Sequence, residues 1–94
     1  MKKLEIFKID NYRYFLQDKD NNKYNLRMKF LDIMKNPTIN DVIYINEELI
    51  KEGGFYIFGP LGSKYGRKIE SEIDKDILIL ERNKQKIFLQ RYYG

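Results

Sequence analysis

From Lys23 to Phe30 the chain reads Lys-Tyr-Asn-Leu-Arg-Met-Lys-Phe, an unbroken alternation in which every second residue is apolar and each one between is basic or an amide. A period of two is the mark of a strand with one face against a core and the other in water. Tyr24, Leu26, Met28 and Phe30 are assigned to the core face, and Arg27 and Lys29 project from the opposite, cationic face. Such a strand needs a second layer over its apolar side, and a chain of 94 residues has room for one such core, so residues 1–94 are read as a single small domain.

The composition points the same way. The chain holds 8 Tyr and 6 Phe but no Ala, so the residue best suited to helices is missing while those suited to pleated surfaces abound. Strand segments are read at Leu4 to Ile9, Tyr12 to Gln17, Lys23 to Phe30, Asp41 to Ile45, Phe55 to Phe58, Ile77 to Leu80 and Lys86 to Tyr92. Asp10-Asn11 forms the first hairpin link, Asp18 to Asn22 a second turn, and Glu81 to Gln85 the last, since Asp and Asn tolerate the backbone that tight turns demand. Asn46 caps a short helix through Glu52, with Glu47 and Glu48 in its first turn and Gly53 just past its end. Leu31 to Lys35 breaks the alternation, and Asn36-Pro37 ends that segment. Short strands between polar turns imply a mainly all-β chain: a small closed or partly open β-barrel of five to seven short strands with one short helix, because closure removes exposed edges.

The side-chain inventory excludes much chemistry. Without His or Cys there is no Ser-His-Asp or Cys-His machinery, no zinc ligand set and no disulfide. Asp18-Lys19-Asp20-Asn21-Asn22 lacks the central Gly and distal Glu of a calcium loop. Hydroxyl nucleophiles are few, so the chain is expected to be no enzyme and to need neither cofactor nor metal. After Met1-Lys2-Lys3, Leu4-Glu5-Ile6-Phe7-Lys8 breaks any apolar run before a signal peptide could form, and no stretch approaches a membrane span. The lack of Cys suits a reducing cytoplasm, so a protein without membrane attachment is expected.

Net charge is +4, unevenly spread. Residues 1–35 carry 9 basic and 5 acidic groups, residues 36–60 carry 1 and 4, and residues 61–94 carry 8 and 5. Basic ends brought onto one side of a sheet would favour a polyanion there. Tyr12-Arg13-Tyr14-Phe15, Lys23 to Phe30 and Gln90-Arg91-Tyr92-Tyr93 interleave rings with cations, as proteins do when bases stack on aromatic faces and cations follow phosphates. Tyr12, Tyr14, Tyr92 and Tyr93 fit this role and that of a core-edge residue with its hydroxyl in water equally well. The stretch Gly59-Pro60-Leu61-Gly62-Ser63-Lys64-Tyr65-Gly66-Arg67 has the glycines and cations of an anion-binding loop but not the order of a P-loop, and reads first as a turn-rich connection.

A three-stranded meander ending near a Pro, then an Asn-Asp-Val-Ile-Tyr-Ile strand, a short capped helix and a final hairpin, resembles the small-barrel group that includes the OB-folds. The likeness is topological, covers most of the chain and carries over no individual residue; strand count and helix position differ from the standard OB arrangement. It implies oligonucleotide binding as a frequent use. The expectation is therefore a small cytoplasmic protein that binds single-stranded nucleic acid or RNA through Arg13, Arg27, Lys29, Arg91 and Tyr92 on a basic, tyrosine-bearing sheet face. The alternative is a protein–protein interaction module, a regulator or accessory subunit, using a sheet edge or the 59–67 loop with Lys64, Tyr65 and Arg67.

Overall fold

The computed structural model describes residues 1–31, 36–61 and 75–93. Within them the strands are β1 (Lys2–Asp10), β2 (Arg13–Gln17), β3 (Lys23–Phe30), β4 (Val42–Ile45), β5 (Phe55–Pro60), β6 (Ile77–Arg82) and β7 (Gln85–Tyr92), with one helix, α1 (Glu47–Glu52). They close into a barrel in the order β1-β2-β3-β5-β7-β6-β4, so the expected small β-barrel is the observed fold. Every neighbouring pair is antiparallel except β3 and β5, which run parallel. That pairing allows closure, because the chain leaves β3, crosses to β4 on the far side of β1, and returns through α1 before adding β5.

Local chemistry sets the turns, and two of them differ from the sequence reading. The β1–β2 link is Asn11-Tyr12 rather than Asp10-Asn11, because Asp10 pairs with Arg13 and Asn11 takes the left-handed backbone, φ 56°. The last hairpin closes over Asn83 and Lys84 alone, both left-handed at φ 52° and 65°. Arg82 and Gln85 are paired, since a two-residue turn of this hand matches the twist of its strands better than the five-residue link expected. The capped helix is as read: Asn46 Oδ1 accepts from the Glu48 amide at 2.8 Å, and Gly53, at φ 67°, donates its amide to the Leu49 carbonyl.

Inside the barrel, Leu4, Ile6, Leu16, Leu26, Met28, Ile43, Phe58, Leu78, Leu80 and Leu89 are buried in one cluster. Tyr14 belongs to it, packed edge-on against Phe30 at 5.6 Å, which decides that residue for the core; burial raises its phenol above the ordinary range. Leu26, Met28 and Phe30 are buried as the alternation requires, while Tyr24 is half-buried with its hydroxyl donating to Asp18 Oδ2. At one end of the barrel the buried Asp41 carboxylate accepts Arg82 Nη2 at 2.6 Å, Arg82 Nε at 3.1 and 3.2 Å, and the Thr38 amide at 2.8 Å. Burial alone would raise its pKa, but these donors outweigh it and hold the group below its usual value. The clamp ties residues 36–41 to β6. Among the described residues, no helix is long and apolar enough to cross a membrane.

Candidate nucleic-acid interface

Register across β2, β3, β5 and β7 places four of the five expected residues on one outer face. Arg13 is the partner of Arg27, and Arg27 of Phe55, in a row running across β2, β3 and β5. Lys29 is the partner of Ile57, and Ile57 of Tyr92, in the next outward row across β3, β5 and β7. Arg13, Arg27 and Lys29 are exposed, Arg13 also donating to Asn25 Oδ1 at 2.8 Å. Tyr92 is engaged otherwise. Its ring lies against Gly59 and its hydroxyl donates to the Pro60 carbonyl at 2.9 Å, so it braces β5 from outside.

Arg91 does not join them. It is the partner of the buried Phe58, so its side chain takes the inward parity. There its guanidinium stacks 4.8 Å from the Tyr56 ring centre and 4.5 Å from that of Tyr93. Tyr93 in turn donates to Asp76 Oδ1 at 2.7 Å, a bond that raises its phenol pKa. Reading Arg91 and Tyr92 as neighbours in sequence hid the fact that neighbours on a strand face opposite ways. Lys64, Tyr65 and Arg67 lie outside the described residues.

The face also holds Tyr12, which the sequence left open between stacking and a core edge, and Phe55, which it did not place there. Tyr12, in the β1–β2 turn, and Phe55, at the start of β5, meet across β3 with ring centres 5.9 Å apart, and they remain 52% and 44% exposed. Only the parallel β3–β5 pairing brings Phe55 beside Arg27, and no local pattern announces a pairing between segments so far apart in the chain. Beside them is a small cavity of about 140 Å³ lined by Asn11, Tyr12, Tyr14, Lys29, Phe30 and Asn36. Farther round, Phe7 and Phe15 form a second pair at 6.4 Å, with Lys23 Nζ 4.8 Å over Phe7 and Lys8 Nζ 5.0 Å over Phe15. Phe7 follows the buried Ile6 outward by ordinary strand parity, and the β1–β2 register slips between Ile6 and Lys8, so that Lys8 rather than Phe7 is the partner of Phe15. The bulge turns Lys8 outward as well and returns Ile9 to the core side. The sequence signal was the failed alternation in Ile6-Phe7-Lys8-Ile9.

Charge on the barrel is segregated. The contiguous strands β2, β3, β5 and β7 carry Arg13, Lys23, Arg27, Lys29, Lys86 and Arg91 and not one Asp or Glu. Acids return at the borders: Asp10 and Glu5 on β1 stand opposite Arg13 and Gln17, and Glu81 on β6 opposite Lys86. A larger open cavity of about 750 Å³ lies at the β1–β2 end, lined by groups of both signs including Lys2, Glu5, Asp18 and Glu47. Lys2 is already shared there between Asp18 at 3.5 Å and Glu47 at 3.8 Å. No family model, curated protein or solved structure matches the chain, so its function has to be read from these residues.

Proposed function

We propose that the protein binds single-stranded nucleic acid across the outer face of β2, β3 and β5, with Arg13, Arg27 and Lys29 following the phosphates and Tyr12 and Phe55 taking a base. The observation that carries this reading is the exposed Tyr12–Phe55 pair set among those three cations on strands that have no acid. Exposed rings are costly to leave in water, and exposed cations without acids repel one another. A ligand that stacks on the first and neutralises the second relieves both. The arrangement is similar to the OB-like use of a barrel, in which the outer face of the second and third strands and the first hairpin loop contact the strand; this likeness supports the reading by analogy alone. A protein partner would have to bring acids to this same face.

The test is a fluorescence anisotropy titration with mixed-sequence single strands at several salt concentrations. Affinity falls steeply as salt rises, and the double variant Arg27→Glu, Lys29→Glu lowers the log–log slope by about 1.4, two phosphate contacts at roughly 0.7 each. No binding at low salt by the folded wild-type protein would overturn the reading and favour an interaction module.

A further inference from the structure

We infer that the Phe7–Phe15 pair is a second base-stacking platform, so that the site recognises an unpaired strand long enough to bridge two aromatic pairs. This rests on the proposed nucleic-acid reading and adds to it a footprint and a length threshold. Three observations converge. Phe7 and Phe15 share the outward side of the Arg13–Arg27 row, and the β1 bulge brings Lys8 out beside them, where a regular strand would have kept it inward. Phe7 is a large apolar residue left 37% exposed. Lys23 and Lys8 stand over the two rings, at 4.8 and 5.0 Å, which places phosphate-seeking charges at the platform itself. A base stacking on a ring contributes more than an exposed cation–π contact, so a ligand can displace the ammonium groups from the ring faces onto its own phosphates.

The geometry sets the length. Phe15 lies two residues along the sheet from the Arg13 row, and Phe55 lies two strands across from Arg13. Strand rise and spacing put the platforms about 12 Å apart. At about 3.4 Å per stacked nucleotide, a strand needs roughly four residues to touch both. The paired Arg13 and Arg27 sit between the platforms, where the linking phosphates pass. Glu5 marks the outer limit of the track: it accepts from Gln17 Nε2 at 3.1 Å, and Gln17 Oε1 in turn accepts from Lys23. A duplex keeps its bases stacked on each other and cannot offer them to either pair of rings.

The experiment is a length series. Labelled deoxythymidine strands of two to twelve nucleotides, and a twelve-base-pair duplex, are titrated at low salt against the wild-type protein and the Phe7→Thr, Phe15→Thr variant. Threonine keeps strand propensity and removes the rings. Wild-type affinity should rise about tenfold or more between two and five nucleotides, and the duplex should bind at least tenfold more weakly than the twelve-nucleotide strand. The variant should keep its dinucleotide affinity and lose the gain. If it does not fold, the Phe7→Leu, Phe15→Leu variant, which keeps apolar volume without a π face, gives the same reading. Equal affinity of variant and wild type at every length would overturn the second platform while leaving the Tyr12–Phe55 reading standing. No binding of any strand by the wild type would overturn both.

Discussion

A methyl group added at Gly59 would lie 2.6 Å from Leu31 Cδ1 and 2.6 Å from Tyr92 Cε1. Leu31 can rotate away, but the Tyr92 ring is held by its hydroxyl bond to the Pro60 carbonyl, so the ring must move and strain that bond. Gly59→Ala should therefore destabilise the barrel by about 1–3 kcal/mol. Adding Tyr92→Ser should make the alanine nearly harmless, a coupling that a double-mutant cycle by urea melts will read; additive losses would show that Tyr92 is not the obstacle. A second residue-scale prediction concerns acid. Asp18 accepts from the Asn22 side chain and from the amides of Asn22 and Asp20, and its pKa is lowered to about 2. A carboxylate depressed in the folded state stabilises fully above its unfolded pKa of about 4 and loses that contribution as pH falls through the folded value. Thermal stability should thus be flat above about pH 5 and drop between about pH 4 and 2, with Asp41, also lowered, adding to the fall. Asp18→Asn, which keeps the accepting oxygen but not the charge, should make the drop shallower.

At the scale of the strand and the turn, β3 tests the register most directly. Leu26 is 2% exposed and Asn25 points outward. Leu26→Ala should cost about 2–5 kcal/mol, and Asn25→Ala, which loses only an exposed bond to Arg13, should stay within about 0.5 kcal/mol. Equal losses in thermal melts would contradict a one-faced strand. What was legible in the sequence lived at this scale. Alternation located β3, Asn46 and Gly53 bounded α1, and the apolar runs located β4 to β7, because period, cap and turn chemistry are local. Two failures were also local: Asn11-Tyr12 and Asn83-Lys84 depend on which residues take the left-handed backbone, which Asn and Asp both tolerate. The failures that matter for the site were not local. Phe55 reaches Arg27 through a parallel pairing, and although neighbours on a strand must face opposite ways, which of Arg91 and Tyr92 turns inward is fixed only when β7 docks on β5.

At the scale of the whole molecule, the segregation of charge gives salt two opposite effects. On β2 and β3, Arg13 and Arg27 are direct cross-strand partners, a like-charge juxtaposition that destabilises a sheet. Asp10 on β1 faces Arg13 from its other side, but β2, β3, β5 and β7 bring no acid of their own to the pair. Sodium chloride screens such repulsion between exposed charges without the general stabilisation that excluded salts such as sulfate bring. The thermal midpoint of the free protein should therefore rise by about 1–4 °C as sodium chloride increases from low to moderate concentration, the size expected for a few tenths of a kcal/mol in a domain this small. Over the same range the proposed affinity for a single strand falls. Arg27→Gln removes one member of the opposed pair, so it should raise the midpoint at low salt and remove much of the salt-induced gain while weakening the strand complex. Thermal melts and anisotropy titrations in matched buffers measure the two arms separately. A midpoint that falls with salt would mean that attractive pairs dominate the surface, and the cationic face would no longer count as repulsion maintained for an anionic ligand.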